Sequence, residues 1–445
     1  MDRLADLADG VSSTANKPAR VAIIGGGYAG MAAAAELARS GLPVTVFEAG
    51  RVLGGRARRV ETGDTRLDNG LHILLGAYRE TLRLIELVKA PGESPGLLRL
   101  PLELTIHPAF RMRTAHLPAP LHLLSALLRA RGLGFGDRIA AVRFMVWAQR
   151  SKFRLASDTT VADLLRSKRQ PDAVSRFLWN PLCVSALNTP PSQASAQVFL
   201  NVLRDSLNGN RADSDLLLPR LDFSALFPER AARYVETHGG SVRLGETVDA
   251  VRQKDGGFEL GDGGERFSHA IVAVSPHRAG ALLASCVELA PIVRMIGKFD
   301  YQPIYSVYLQ YARQARLPFR MGGLEAVYSQ WLFDRGQLCG QDGLIGVVIS
   351  ASGAHQELAH DALARAVHAE LKENFPALGE PRWHQVIAEK RATFSCTPGL
   401  SRPDNATPVA GLYLAGDYTA SEYPATIESA VRSGVRAAKL VLQNA

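Results

Sequence analysis

The hydrophobic pattern near the N-terminus changes its period twice within thirty residues. Residues 19–48 read ARVAIIGGGYAGMAAAAELARSGLPVTVFE, an apolar run, a glycine turn, an alanine-rich stretch and a second apolar run. Short apolar runs bounded by turns predict buried strands, and the alanine-rich stretch between them predicts a helix. The pattern therefore predicts a βαβ unit.

The end of the chain carries a related pattern. The segment GLYLAGDYTASEYPATIESAVRSGVRAAKLVLQ predicts a strand over 412–415, a loop, and a helix from about Ala425. Between 239 and 275, polar and apolar residues alternate around Gly-Gly and Asp-Gly turns, which predicts further strands. We expect all of these elements to belong to one nucleotide-binding lobe.

This organisation predicts a discontinuous chain arrangement. The predicted parts are a mobile tail of residues 1–18, a nucleotide-binding domain formed by 19–96, 231–286 and 399–445, a helical substrate-contacting or membrane-contacting region at 97–230, and a block of sheet and helices at 287–398 that completes the substrate site.

Composition narrows the class of protein. The chain has 445 residues, of which 47% are hydrophobic, and it contains no run of about 18 uncharged apolar residues. The net charge of +8 favours an anionic partner, but no basic run with interleaved aromatic residues predicts a nucleic-acid interface. No metal site or disulfide framework is predicted, because the four cysteines lie far apart: Cys183, Cys286, Cys339 and Cys396. A cytoplasmic protein, able to lie on the inner face of a bacterial membrane, is expected.

A phosphate-binding turn joins the first predicted strand to the helix. Gly25, Gly27 and Gly30 form G-x-G-x-x-G, in which the first glycine allows a tight turn, the second lets the backbone approach a pyrophosphate, and the third allows close packing. The helix start offers N–H groups and a positive dipole end to phosphates. Glu48 ends the second strand, where its carboxylate can accept ribose hydroxyls. FAD and NAD share this fingerprint, so it does not choose between them.

The next segments resemble the superfamily of flavin amine oxidases and phytoene desaturases. Gly54-Gly55-Arg56 resembles its second phosphate motif, L-A-G-D at 414–417 and P-A-T-I-E-S-A at 424–430 resemble its flavin-closing motif, and Val248 matches its adenine-contacting position. The resemblance implies FAD, with Arg56 at the pyrophosphate. The predicted cofactor-binding residues are Gly25, Gly27, Tyr28, Ala29, Gly30, Glu48, Ala49, Gly54, Gly55, Arg56, Asn69, Gly70, Val248, Gly416, Asp417, Pro424, Ala425 and Thr426.

Three blocks are similar to the hydroxysqualene dehydroxylases, the squalene-associated flavoproteins of hopanoid synthesis. They are DNGLHILLGAYRETLRLI at 68–85, LWNPLCVSALNTPPSQASAQVF at 178–199 and AGDYTASEYPATIESAVRSG near the C-terminus. This similarity implies a Rossmann-like α/β FAD-binding domain of the amine-oxidase type with an inserted α+β substrate domain. It also implies reduction of hydroxysqualene to squalene with hydride from FAD. Asp68 and His72 are candidates for handling the proton, and Leu71 departs from the family's usual glutamine.

Other interpretations remain open. A carotenoid desaturase would share the first and last blocks, and an amine oxidase would need an aromatic cage, for which Tyr418 and Tyr423 are candidates. A flavin-stabilised scaffold for a prenyl synthase would perform no chemistry. Residues 97–154 place leucines and aromatics beside repeated arginines, which is typical either of a segment in a headgroup layer or of a helix pair with its arginines in solvent.

Overall fold

A computed structural model describes residues 19–207, 209–260, 264–284 and 286–444. The predicted N-terminal tail, 1–18, lies outside these residues. The strands of the described chain are β1 (Val21–Ile24), β2 (Val44–Glu48), β3 (Arg59–Thr62), β4 (Thr65–Asp68), β5 (Leu74–Leu75), β6 (Leu97–Leu100), β7 (Glu103–His107), β8 (Phe110–Arg113), β9 (Leu216–Pro219), β10 (Ser241–Leu244), β11 (Val251–Lys254), β12 (Gly257–Leu260), β13 (Arg266–Phe267), β14 (His269–Val272), β15 (Tyr301–Gln310), β16 (Met321–Leu324), β17 (Trp331–Asp334), β18 (Leu344–Ser350), β19 (Trp383–Phe394) and β20 (Leu412–Leu414).

Helices cover most of the stretch between β8 and β9 and form the last element of the described chain. They are α1 (Tyr28–Arg39), α2 (Arg79–Leu87), α3 (Leu121–Leu128), α4 (Phe135–Arg150), α5 (Val161–Ser167), α6 (Asp172–Val174), α7 (Asn180–Leu187), α8 (Ala196–Leu207), α9 (Phe223–Leu226), α10 (Pro228–Thr237), α11 (Pro276–Leu283), α12 (Ala290–Ile296), α13 (Arg335–Cys339), α14 (His360–Asn374) and α15 (Ile427–Asn444), with a π-helical turn at Ser175–Trp179 and short 3-10 turns. No helix among the described residues is both long and apolar enough to cross a membrane.

A five-stranded parallel sheet forms the first layer, in the order β10-β2-β1-β14-β20. It contains the predicted βαβ unit, β1-α1-β2, which is confirmed. The C-terminal helix begins at Ile427 rather than Ala425, because the Thr426 hydroxyl accepts a hydrogen bond from the Ser429 amide at 3.1 Å and caps the helix there.

Small residues let two helices approach each other above this sheet. Met31 to Ala35 of α1 are fully buried, and α1 packs on α15. A Cβ atom at Gly434 would lie 2.1 Å from the Ala29 carbonyl oxygen, so the α15 backbone rests directly on α1. The N-terminal and C-terminal segments therefore share one core.

A seven-stranded sheet forms the second layer, in the order β19-β15-β18-β17-β16-β7-β8. The prediction that 97–230 is helical was wrong at its start, because β7 and β8 join this sheet and β6 pairs with β9. Leu104 and Ile106 alternate with more exposed neighbours along β7, which is the period of a strand with one buried face. Helices then fill 121–207 as expected.

A buried ion pair joins the two-stranded β3-β4 sheet to α13, the helix that follows β17 of the second layer. The Asp68 carboxylate, at the end of β4, lies 3.2 Å from the Arg335 guanidinium on α13, and both side chains are more than nine-tenths buried. The Phe223 amide also donates to Asp68 at 2.9 Å. Burial raises the pKa of Asp68, and the Arg335 charge and the Phe223 amide offset only part of that rise.

Arg335→Leu should destabilise the fold, because it leaves the Asp68 carboxylate buried without its counter-charge. We expect the free energy of unfolding to fall by about 3–5 kcal/mol, measured by urea denaturation followed by tryptophan fluorescence. The control is Arg313→Leu, since Arg313 pairs with Asp342 in solvent and should change stability by less than about 1 kcal/mol. Equal losses in the two variants would contradict the prediction.

Candidate active site

A cavity of about 760 Å³ lies along the carboxyl ends of the parallel strands. The segments that follow β1, β2, β14 and β20 all line it. In a parallel sheet, ligands bind at this edge because the connecting loops and helix starts converge there. The cavity is therefore the expected place for a dinucleotide.

The glycines of the first turn have distinct surroundings. Gly25 has a φ of +113°, which favours glycine. A Cβ atom at Gly30 would lie 1.9 Å from the Gly25 carbonyl oxygen, whereas one at Gly27 would meet nothing nearer than 3.8 Å. Gly27 lines the cavity and Gly30 does not, so Gly30 serves packing while Gly27 leaves space for a ligand close to the backbone.

Glu48 shapes the adjoining loop. One carboxylate oxygen accepts the Gly26 amide at 2.6 Å, and the other accepts the Gly50 amide at 2.8 Å. Each oxygen retains a second lone-pair direction, so the group can still accept hydroxyl donors from a ligand. Glu48 lines the cavity. The sequence predicts a ribose-binding carboxylate at this residue.

An ion pair between Arg56 and Asp417 connects the two opposite walls of the cavity. The guanidinium lies 2.6 Å from the Asp417 carboxylate and also donates to the Ala392 carbonyl at 2.7 Å. Burial by itself would lower the pKa of Arg56, but the charge of Asp417 and their hydrogen bond raise it overall. The arginine stays cationic beside the phosphate-binding turn, as a pyrophosphate contact requires.

The two candidates for proton handling lie in different environments. His72 lines the cavity against Phe223, and burial together with the Arg56 charge lowers its pKa to about 4. Its imidazole is therefore neutral near pH 7. Asp68 does not line this cavity, because its carboxylate points to Arg335 and the Phe223 amide.

A second cavity, of about 500 Å³, is predominantly apolar. Its walls come from the helices between β8 and β9, from strands β7 and β17 of the second layer and from the segment before α2, and they include Ile73, Leu104, Leu123, Leu178 and Trp331. Such a cavity fits a hydrocarbon chain, because apolar surface gains free energy when it leaves water. Thr426 lines both cavities, so they adjoin at the residue that caps α15.

The structure brings most of the predicted cofactor residues to one cavity. Those that line it are Gly25, Gly27, Tyr28, Ala29, Glu48, Ala49, Gly54, Gly55, Arg56, Asn69, Gly70, Val248, Gly416, Asp417, Ala425 and Thr426. Pro424 lines the apolar cavity instead. These residues combine a helix start, a carboxylate, a cationic side chain and an unfilled space at Gly27, which together fit FAD.

The proposed aromatic cage does not form. Tyr418 is fully buried in the protein core and Tyr423 lines the apolar cavity, where its hydroxyl donates to Asp205 at 2.5 Å. The two rings therefore do not face each other across a ligand in the way an amine-oxidising cage requires.

Sequence reasoning missed the contribution of the second layer to the nucleotide cavity. Ile304 on β15 and Glu389, Ala392 and Thr393 on β19 line it, and Glu389 accepts a 3.2 Å hydrogen bond from the Asn69 side chain. These residues carry no local motif. Only the pairing of β15 with β19 and the packing of the two layers bring them to the site.

Comparisons with known proteins agree with this geometry. Residues 28–442 match the family of flavin-containing amine oxidoreductases. A hydroxysqualene dehydroxylase of Rhodopseudomonas palustris is 30% identical over 95% of this chain and 98% of its own length. A 15-cis-phytoene desaturase of Solanum lycopersicum is 25% identical over 96% of this chain and 78% of its own. The structure of cyclohexylamine oxidase from Brevibacterium oxydans shares the fold, with a TM-score of 0.66, 20% identity, and coverage of 96% and 99%.

Gly27→Ala tests whether the space beside the turn belongs to the cofactor. No protein atom obstructs the new methyl group, so we expect thermal stability without cofactor to be preserved while the Kd for FAD rises at least about ten-fold, or about 1.4 kcal/mol. Differential scanning fluorimetry of cofactor-free protein measures the thermal stability, and titration of that protein with FAD measures the Kd.

Gly30→Ala is the matched control, because its methyl group would overlap the Gly25 carbonyl. It should lower both stability and FAD binding. Wild-type affinity in Gly27→Ala, or equal instability of the two variants, would show that Gly27 does not border the cofactor.

Proposed function

We propose that this chain, which belongs to the flavin-containing amine oxidoreductase family, catalyses one specific reaction. In that reaction the hydroxyl group of hydroxysqualene is removed reductively to give squalene. The protein is an FAD-dependent oxidoreductase. The finer assignment is supported by its similarity to proteins named hydroxysqualene dehydroxylase, which extends over nearly the whole length of both chains.

One observation carries the assignment. The apolar cavity meets the cavity assigned to FAD at Thr426, so a hydrocarbon substrate can be held with one carbon near the flavin while its remainder stays out of water. An amine substrate would need a polar or aromatic cage at this junction. The predominantly apolar walls favour an isoprenoid.

The chain's own groups would hold and orient the cofactor. We assign the FAD-binding domain to 19–96, 231–286 and 399–445, with Glu48 accepting ribose hydroxyls and Arg56 facing the pyrophosphate. Amides at the capped start of α15 would face the flavin ring. When bound and reduced, FAD supplies the hydride that replaces the hydroxyl group.

Removal of the hydroxyl group as water consumes one hydride and one proton, and the oxygen must be hydrogen-bonded as it leaves. At neutral pH, His72 offers a neutral imidazole that can donate or accept a hydrogen bond. In the apolar cavity, burial and the Glu428 charge raise the pKa of Tyr78, so its phenol stays protonated. We propose that His72, Tyr78 and Thr426 orient the leaving hydroxyl, while Asp68 has a structural role and holds β4 against α13 through Arg335.

We also propose that the protein works at the cytoplasmic face of a membrane. Its substrate is a C30 isoprenoid that partitions into lipid, and three of its four free cysteines are buried while none forms a disulfide, which suits a reducing compartment.

The reaction is tested by anaerobic incubation of chemically reduced, FAD-loaded protein with hydroxysqualene in detergent, followed by mass spectrometry of the extracted hydrocarbons. We expect squalene from reduced protein and none from oxidised protein. Unchanged hydroxysqualene with an intact flavin spectrum would overturn the assignment. Conversion of a polyene precursor to a coloured product would instead indicate the carotenoid desaturase alternative.

Ala186→Phe tests the apolar cavity as the substrate site. Ala186 lies half-buried on α7 and lines that cavity, so a phenyl group should take up space that the hydrocarbon needs. We expect kcat/KM to fall at least about ten-fold with an unchanged flavin spectrum. The control, Ala366→Phe, changes a half-buried alanine of α14 outside the cavity and should keep wild-type kcat/KM. Equal activity in both variants would exclude this cavity.

A further inference from the structure

Exposed apolar side chains concentrate at one corner of the molecule. Ten large hydrophobic side chains are exposed among the described residues, and six of them lie between positions 117 and 146. Those six are Leu117, Leu121, Leu124, Leu128, Phe135 and Val146. A cluster in such a short stretch differs from the scattered apolar residues that normal surfaces carry, and it marks an interaction site.

Helix α3 is apolar on both of its faces. Leu123 and Leu127 are buried and line the apolar cavity, whereas Leu121, Leu124 and Leu128 are 50%, 37% and 40% exposed. We call these last three residues the leucine face of α3. A helix that is hydrophobic all round is typically covered on all sides, but none of the described residues covers this side of α3.

The charge around this face is predominantly positive. Exposed arginines lie on β8, just after α3 and along α4: Arg111, Arg113, Arg129, Arg131, Arg143 and Arg150. Arg111 and Arg113 share Glu103, while no ion pair within the described chain involves Arg129, Arg131 or Arg143. Leucines flanked by unpaired arginines match the boundary between acyl chains and anionic headgroups.

We propose that the leucine face of α3, together with Phe135, docks on the surface of an anionic lipid bilayer. Phe135 is 77% exposed at the start of α4, which packs against α3. With only eight residues, α3 is about 12 Å long, so it lies in the interface and does not cross the membrane. The opposite side of this helix is the cavity wall, so α3 separates lipid from the apolar cavity by one helix diameter.

This docking proposal extends the proposed function and rests on it. A C30 isoprenoid is poorly soluble in water, and an enzyme that takes it directly from a bilayer avoids exposing it. Leu123 and Leu127 then face the hydrocarbon, while Leu124 and Leu128, which follow them in the sequence, face the lipid.

Vesicle co-sedimentation of the full, FAD-loaded chain tests the surface. We expect binding to vesicles of phosphatidylglycerol and phosphatidylcholine, weaker binding to phosphatidylcholine alone, and weakening by salt. The variant Leu121→Gln/Leu124→Gln/Leu128→Gln keeps helix propensity and should lower the partition coefficient at least about ten-fold. Arg129→Gln/Arg131→Gln should lower it by a similar factor only on the anionic vesicles.

Matched controls come from elsewhere on the surface. Leu244→Gln/Val287→Gln/Val327→Gln changes three side chains that are 47%, 82% and 78% exposed, and Arg294→Gln/Arg365→Gln changes two exposed arginines on α12 and α14. Both controls should bind vesicles as the wild type does. Absence of wild-type binding, equal loss in the controls, or binding that ignores lipid charge would overturn the proposal. So would a dimer that dissociates in the leucine variant without vesicle binding, since that face would then join two copies.

Squalene formation in detergent separates this proposal from the assigned reaction. The leucine and arginine variants change no residue that lines either cavity, so they should retain wild-type activity in detergent and lose it on vesicles. Vesicle binding without squalene formation in detergent would overturn the reaction and leave the docking surface standing. Activity in detergent without vesicle binding would overturn the docking surface and leave the reaction standing.

Discussion

The ion pair between Arg56 and Asp417 joins segments that lie 361 residues apart in the chain. Asp417 is almost fully buried, and an unpaired carboxylate at that depth would cost several kcal/mol, so the pair constrains how the N-terminal and C-terminal segments meet. The arginine's carbonyl accepts the Asn69 side chain, which in turn donates to Glu389 of the second layer. The Arg56–Asp417 pair thus connects both walls of the nucleotide cavity to strand β19 of the second layer.

The parts that sequence predicts best are those where local chemistry dictates geometry. Strand β1, helix α1 and strand β2 follow from apolar runs around glycines that only a tight turn and close packing explain, and the structure confirms them. Strands β7 and β8 were missed because they join a sheet whose other strands lie two hundred residues later. Glu389 was missed for the same reason, since its position at the cavity depends on long-range strand pairing.

Residue type alone also failed to predict what Asp68 and His72 would do. Both are ionisable and both lie in the block at 68–85 that is similar to the hydroxysqualene dehydroxylases. Their different surroundings nevertheless give them different roles. The Asp68 carboxylate accepts hydrogen bonds from the Arg335 guanidinium and the Phe223 amide, and it therefore joins β4 to α13 and to the start of α9. His72 faces the cavity, and the Arg56 cation that suits a pyrophosphate is the same charge that, with burial, keeps this imidazole neutral. The positive field that attracts an anionic cofactor thus disfavours a proton on His72, and an anion bound at Arg56 would weaken that effect.

The contrast between the two cavities explains how a single active site can act on a long hydrocarbon. In the apolar cavity each buried methylene contributes about 0.8 kcal/mol whichever part of the chain it comes from, so binding there favours length and shape but cannot choose the reacting carbon. The few polar groups near Thr426 would select the reacting carbon, because a hydroxyl without a hydrogen-bond partner in apolar surroundings costs free energy. In the proposed reaction, the hydroxyl of the substrate would be drawn to the junction for the same reason that its hydrocarbon chain avoids it. Remote binding energy thereby positions the one carbon that hydride can reach.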